Sequence, residues 1–343
     1  MRVAQIMAGQ EIGGAELFYA RLTSALADSA DVSQMAILRP HKRWLDVLLA
    51  AGVPAYTYRF GGRLDVQTRR GLRRHLEVFE ADVALNWMSR AARFCPEGAW
   101  TNAARLGGYY SLKYYRNCQA FIGNTQGICT YLRQQGVAAG RVHYIPNFID
   151  ERPLPTDNAV QFPVAKRGDE AVLLAAGRLH RNKGFDVLIE ALTSIPSATL
   201  WLAGEGPEQV NLALLAERLG VRDRVEFLGW QDDLRPYLGR ADVFVCSSRI
   251  EPLGNVVLEA WRHGCPLVAA RAAGPVELIT DGLNGSLCEL EDAPDMAKAI
   301  MNLLNSASQR QHYVAAGREA YAAGFSRAQV TARYLQFFEE IKP

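Results

Sequence analysis

Short apolar runs rich in Val, Ile and Leu alternate along the chain with longer stretches whose apolar positions recur every three or four residues. The runs predict strands buried in a sheet, the stretches predict amphipathic helices, and their alternation marks parallel βαβ construction. In the first half the strand-like runs are residues 3–7, 35–38, 55–58, 83–85, 120–123 and 142–145. Leu17, Phe18, Leu22 and Leu26 repeat at helical spacing between the first two, which predicts a helix over 15–27. A second series opens with 171–175 and continues through 199–203, 225–228, 243–246 and 266–269, each followed by a helical stretch. Between the two series Pro153, Pro155, Asp157, Asn158 and Pro163 interrupt any regular element, so a linker is expected there.

The pattern therefore predicts an α/β chain of two Rossmann-like domains, 1–160 and 165–324, whose ligands bind outside the carboxyl ends of the strands. A length of 343 residues suits two such domains. In the tail, Val330, Tyr334, Leu335, Phe337, Phe338 and Ile341 make an apolar stripe too large to leave in water. Residues 325–343 are expected to form a helix that crosses back to the first domain, the alternative being packing on the second alone.

Composition narrows the class. With 49% apolar, 22% charged and 9% aromatic residues the chain is ordinary globular material. No stretch is apolar for the length of a bilayer crossing, and the start shows no signal-type run. The six cysteines, Cys95, Cys118, Cys129, Cys246, Cys265 and Cys288, are scattered without a C-x-x-C pair. A reduced, cytoplasmic location is expected.

The overall charge of +2 hides an asymmetry. Residues 1–160 hold 19 Lys and Arg against 13 Asp and Glu, and residues 161–343 hold 19 against 23. Within the first half, Arg39, Lys42, Arg43, Arg59, Arg63, Arg69, Arg70, Arg73 and Arg74 face only Asp46 and Asp65 over 39–75. This cluster reads either as a solvated helix face or as a contact for an anionic lipid or glycan. Sparse aromatic residues and the lack of a binding motif argue against nucleic acid.

Four segments of the second half end a strand with groups suited to a nucleotide diphosphate. Arg178 and Lys183 lie five residues apart on one post-strand loop, where a guanidinium fork and an ammonium point charge can converge on a pyrophosphate. Gly204 and Gly206 form a turn after the next strand, where small residues let a flat base or ribose approach the backbone. The strongest segment runs from 242 to 260. A buried strand ends in polar residues, Pro252 and Gly254 shape a loop, and a helix is predicted to begin near Asn255. The N–H groups of Gly254, Asn255 and Val256 then point out of a helix start that favours phosphate. Glu251 on the loop and Glu259 one turn into the helix are suited to accept hydrogen bonds from sugar hydroxyls. The fourth segment, 272–285, repeats the glycine turn; there Glu277 is expected to cap the first turn of its helix rather than to reach a ligand.

The run E-P-L-G-N-V-V-L-E, preceded by A-D-V-F-V-C-S-S and followed by G-C-P-L-V-A and G-x-x-E-L-I-x-D-G-x-N-G, resembles the donor half of the GT-B retaining glycosyltransferases of family 4, the glycosyl transferases group 1. Gly177-Arg178 with Lys183-Gly184, the 204–207 turn and the 225–229 strand match that family in order and spacing, so the likeness spans most of 171–290. It implies two Rossmann-like domains facing across a cleft and a retaining, metal-independent hexosyltransferase. Arg178 and Lys183 would bind the diphosphate, Glu251 and the following amides the donor sugar and phosphate, and Glu259 the ribose. Gly13 and Gly14 resemble the family's glycine-rich loop on the acceptor side, and Asn147 its boundary segment. The implied partners are a nucleotide-sugar donor, with UDP or GDP as nucleotide and no further cofactor, and a glycan or lipid-linked acceptor of surface polysaccharide or lipopolysaccharide assembly. Peripheral contact with the anionic inner face of a membrane would bring the two together.

Two departures stand against the match. The segment after the fourth strand lacks the usual histidine, and Leu106 stands where another histidine is expected near the sugar. Asn86, Arg90 and Arg105 are the candidate substitutes. His41, His75, His143, His180, His263 and His312 show no metal-ligand spacing and no Asp-x-Asp triplet occurs, so no metal site is expected. A dehydrogenase is disfavoured because Gly9, Gly13 and Gly14 miss the G-x-G-x-x-G spacing. A GT-B sugar-nucleotide epimerase or phosphorylase, or a non-catalytic sugar-nucleotide-binding protein, remains the alternative.

Overall fold

The computed structural model describes residues 1–9, 13–62, 64–155 and 170–343. These form two units, one of Met1–Ile149 with Phe325–Pro343, the other of Asp150–Gly324. In the first, β1 (Arg2–Met7), β2 (Ser33–Leu38), β3 (Ala55–Thr57), β4 (Val83–Trp87), β5 (Thr101–Leu106), β6 (Ala120–Gly123) and β7 (Val142–Tyr144) make a sheet of order β3-β2-β1-β4-β5-β6-β7. All its pairings are parallel. Met7 aligns with Leu38 on one side and Trp87 on the other, so β1, β2 and β4 end level.

The second unit repeats the plan. Strands β8 (Ala171–Ala176), β9 (Ala198–Ala203), β10 (Val225–Gly229), β11 (Val243–Cys246), β12 (Leu267–Ala270) and β13 (Ser286–Cys288) lie in the order β10-β9-β8-β11-β12-β13. They too pair in parallel. In each sheet the strand order reverses beside its first strand, between β1 and β4 and between β8 and β11. Crossover helices diverge there, and a crevice opens at the carboxyl ends. Strands covered on both faces must be apolar at every position, and β9, buried throughout, shows why Ala-Thr-Leu-Trp-Leu-Ala reads as a continuous run.

The tail folds as helix Arg327–Ile341, with the Ser326 hydroxyl accepting the N–H of Gln329 at its start. It belongs to the first unit, where Val330, Tyr334, Phe337 and Phe338 are at most 2% exposed and join the core of Phe18, Leu22, Leu26 and Trp87. The expected return to the first domain is thus found. Thr101 Oγ1 donates to the carbonyl of Ile341 at 2.7 Å and fastens the helix end to β5.

Two strands escaped the sequence pattern. β5 reads Thr-Asn-Ala-Ala-Arg-Leu, with Asn102 and Arg105 buried in place of the β-branched residues that mark a strand. β13 is only three residues long. Of the expected linker, Pro153 and Pro155 are described, whereas Asp157, Asn158 and Pro163, like the expected boundary at 160–165, lie outside the described residues. The six cysteines are buried and form no disulfide with one another. Among the described residues no helix is long and apolar enough to cross a membrane.

Candidate functional site

At the carboxyl end of β8 the chain passes through Gly177 and Arg178 into a single turn, Arg181–Lys183, before helix Phe185–Leu192. Lys183 Nζ donates to Glu251 Oε2 at 2.5 Å, with the two side chains only 22% and 12% exposed. Burial alone would lower the lysine pKa, but the charge and hydrogen bond of Glu251 outweigh it and raise the pKa above its ordinary value. The ammonium therefore stays charged. Ser248 Oγ donates to the same Glu251 oxygen at 3.1 Å, fixing the carboxylate on the loop after β11.

The two loops are stitched together along their length. The carbonyl of Asn182 accepts the N–H groups of Arg249 and Ile250 at 2.8 and 3.1 Å, and Ser247 Oγ donates to the carbonyl of Lys183 at 2.8 Å. Arg249 grips Asp186 with two bonds of 2.7 and 2.8 Å and also pairs with Glu291. These contacts set the Lys183–Glu251 geometry before any ligand arrives. Sequence reasoning found Lys183 and Glu251 but missed Ser247, Ser248, Arg249 and Asp186; the polar pair closing β11 was the available signal.

The β9 turn presses directly on the β8 loop. Gly204 has φ of +142°, its N–H donates to the Gly229 carbonyl at 2.7 Å, and a Cβ there would stand 1.9 Å from the Gly177 carbonyl oxygen. Only glycine fits. At Gly206 a Cβ would come within 2.4 Å of the Leu179 carbonyl oxygen. Both turn glycines thus serve close backbone packing around the β8 loop, where the sequence pointed to approach of a base or ribose.

Gly254, at φ +86°, precedes helix Asn255–His263 and turns the loop into it. The first N–H groups of that helix, including those of Asn255 and Val256, have no intrahelical acceptor, and the dipole adds positive potential there. Glu259 is half-buried one turn along the same helix. Arg178 is exposed next to Gly177, against which the Lys183 stem packs. The structure thus brings Lys183 and Glu251 into contact and sets Gly254, Asn255 and Val256 on the chain just beyond. Glu277 does not cap a first turn: helix Ala273–Leu278 has no acidic residue there, and Glu277 lies near its end, exposed. Its separation from Ala272, the N-cap, is too great for that role.

In the first unit, Gly13 is the N-cap of helix Gly14–Ala27, and the buried Glu16 carboxyl lies against Gly9 and Gly13. Of the three candidate histidine substitutes, two belong to the interior. Asn86 is fully buried on β4 and donates to the carbonyls of Ala84 and Ala103 at 3.0 and 3.1 Å. Arg105 is 3% exposed on β5; its guanidinium sits 5.0 Å from the Phe18 ring and 5.1 Å from Trp87, and donates to Asn147 Oδ1. Both side chains thus lie within the interior of the first unit, Asn86 bonded along the sheet and Arg105 among aromatic rings. Arg90 is exposed, with Nη1 3.4 Å from the Phe60 carbonyl. Of the apolar residues beside the basic cluster, Trp44 and Leu48 are buried, while Val47 and Leu49 are 38% and 58% exposed.

The model of the glycosyl transferases group 1 matches residues 157–320. Over 345 residues the chain is 38% identical to the lipopolysaccharide core biosynthesis glycosyltransferase LpsE of Rhizobium meliloti (strain 1021), and the match covers 98% of both chains. It is 35% identical to LpsD of the same organism, also a lipopolysaccharide core biosynthesis glycosyltransferase, over 99% of this chain and 98% of that one. The crystal structure of Anabaena HepE in complex with UDP and glucose superposes with a TM-score of 0.85 at 22% identity, covering 99% of this chain and 100% of HepE. The two Rossmann-like domains of the GT-B fold are common to both.

Proposed function

The chain belongs to the glycosyl transferases group 1, and from that premise we propose that it moves a sugar from a nucleotide-diphosphate sugar to an acceptor of the lipopolysaccharide core, with retention at the anomeric carbon, as a member of family 4. Full-length likeness to LpsE and LpsD supports the acceptor class. HepE, crystallised with UDP and glucose, supports a nucleotide sugar as donor. The observation that carries the reading is the Lys183–Glu251 pair, held at the carboxyl ends of β8 and β11 next to the helix start at Asn255.

The chemistry follows from charge. As the bond from the anomeric carbon to the phosphate oxygen breaks, the departing diphosphate gains negative charge, and preorganised donors aimed at it lower the barrier. Lys183, kept charged by Glu251, supplies a point charge, Arg178 a fork, and the Asn255–Val256 N–H groups a helix-end site. Side chains thus provide the cationic help that a metal gives elsewhere, so the transfer is proposed to be metal-independent. Glu259 accepts hydrogen bonds from the ribose hydroxyls. The acceptor oxygen bonds to the anomeric carbon on the face the diphosphate leaves, and its proton departs with the diphosphate.

A cytoplasmic location with peripheral contact to an anionic bilayer completes the proposal. Its support is the exposed row Arg69, Arg70, Arg73 and Arg74 on helix Val66–Val78. Incubation with a panel of UDP and GDP sugars and a truncated lipopolysaccharide core, followed by NMR of the product, tests the reaction. A retained anomeric configuration is expected. An inverted product overturns retention, and a donor panel left intact overturns transfer.

A further inference from the structure

Three strands of the first unit each hand over to a basic loop at their carboxyl end: Arg39 follows β2, Arg59 follows β3, and Arg90 lies two residues into helix Met88–Phe94 after β4. β2 and β4 flank β1 and end level with it, so the loops carrying Arg39 and Arg90 start about 10 Å apart, two strand spacings. Two arginine side chains span that gap. Burial and the charge of Arg90 both lower the Arg39 pKa from its ordinary value. Among the described residues, Arg39 Nε is enclosed and has no hydrogen-bond partner, and the same holds for His41 Nδ1. Among the described residues, Arg39, Arg90 and Arg69 make no ion pair with a carboxylate. Asp65 is turned to the N–H of Gly61 and to Thr68 instead.

The surrounding frame is stiff. The Phe60 carbonyl receives Arg90, the Phe60 ring meets Phe94 at 5.6 Å, and Arg69 covers Phe94 at 5.5 Å. Phe60 and Met88, the residues that redirect the chain after β3 and β4, have φ of +48° and +69°. Left-handed backbone at bulky residues stores strain, and such strain persists where a site fixes it. Two like charges held together with an unsatisfied donor are costly unless an anion joins them.

We propose that Arg39 and Arg90 form an anion subsite at the carboxyl edge of β2, β1 and β4 that takes a phosphate or carboxylate group carried by the sugar acceptor. This deepens the transferase reading and rests on it for the word acceptor. The neutral sugar ring would lie beside the anion, so charge selects which residue of a glycan is elongated. Arg69 extends the positive field toward the rim.

Calorimetric titration of the full chain with glucose 6-phosphate, glucuronate and glucose tests the subsite without nucleotide. The charged sugars are expected to bind at least tenfold more tightly than glucose, and the stronger of the two identifies phosphate or carboxylate as the group recognised. Arg39→Gln and Arg90→Gln should each weaken the charged sugars at least tenfold, with UDP affinity within twofold of wild type as the check that the chain is folded. Equal binding of all three sugars, no binding of either charged sugar, or full binding by the double variant overturns the subsite. Failure of the wild type to bind UDP would strike the donor reading alone.

Discussion

Lys183 and Glu251, 68 residues apart, meet at 2.5 Å where the loops after β8 and β11 join. The pair is poised between structure and chemistry, because Glu251 keeps Lys183 charged in a largely enclosed place.

Lys183→Ala should lower kcat/KM by about 2–4 kcal/mol, on the order of 30- to 1,000-fold, since charge builds on the leaving diphosphate. Glu251→Gln should lower turnover more than donor affinity, and Glu259→Gln chiefly donor affinity. Steady-state kinetics with a turned-over donor decide this; wild-type constants for Lys183→Ala would remove Lys183 from the site.

The same pair sets an alkaline limit on stability. The folded pKa of Lys183 is raised, so its contribution is complete below the unfolded value of about 10.4 and is lost as pH rises through the folded one. Urea midpoints of the wild type should therefore fall more steeply above about pH 10 than those of Lys183→Met paired with Glu251→Gln. Parallel curves would show that the pair adds nothing to folding.

Much of the fold was legible because parallel strands buried on both faces must be written as apolar runs, and the runs at 171–175 and 243–246 could be nothing else. β5 was not legible, since Asn102 and Arg105 acquire their reason only from partners elsewhere: Cys95 and Trp100 for the first, Asn147, Phe18 and Trp87 for the second. The site divides in the same way. Motif context singled out Lys183 and Glu251, but their contact, and the Arg249 clamp on Asp186 63 residues away, are tertiary facts that no local spacing encodes. Arg105 drew notice only because it stands beside Leu106, where the family resemblance puts a histidine; that it lies buried inside β5 is a tertiary fact.

Gly204→Ala should be severe. Its Cβ would stand 1.9 Å from the Gly177 carbonyl oxygen at a φ of +142°, so the β8 loop must shift, and with it the Lys183 stem that packs on Gly177. A loss of about 3 kcal/mol or more in unfolding free energy and of donor binding is expected. Gly220→Ala, at φ +69° with open space around its Cβ, isolates backbone strain and should cost about 1 kcal/mol with donor binding kept. Similar effects from the two would refute the close-packing account.

Asp150 predicts behaviour in acid. Burial alone would raise its pKa, but hydrogen bonds from the side chain and N–H of Arg152, with the charge of Arg235, hold it down at about 2. A depressed carboxyl stabilises the fold above its unfolded pKa, near 4, and loses that effect as pH falls through about 2. With the side chain 26% exposed and screened, the effect should be about 1–2 kcal/mol. Unfolding free energies of wild type and Asp150→Asn should converge between about pH 4 and 2; a constant gap would contradict the linkage.

The last prediction concerns the membrane. On helix Val66–Val78, Leu72 and Leu76 are buried while Arg69, Arg70, Arg73 and Arg74 stand exposed, so the charge row is the helix's outer face, with Arg69 at its edge against Phe94. Val66 and Val78, 50% and 78% exposed, add apolar area at its two ends. Each cation near an anionic bilayer contributes about 1 kcal/mol at low screening, so four give useful adsorption that fades as salt shortens the Debye length. Co-sedimentation should recover more protein with vesicles containing anionic lipid than with neutral ones, and less at 0.5 M salt than at 0.05 M. Changing Arg70, Arg73 and Arg74 to Glu should abolish the difference and leave transfer to a water-soluble acceptor intact, because none of the three is a residue of the Arg39–Arg90 subsite or of the Lys183–Glu251 pair. Equal recovery on neutral and anionic vesicles would show that the arginine row only keeps the helix solvated.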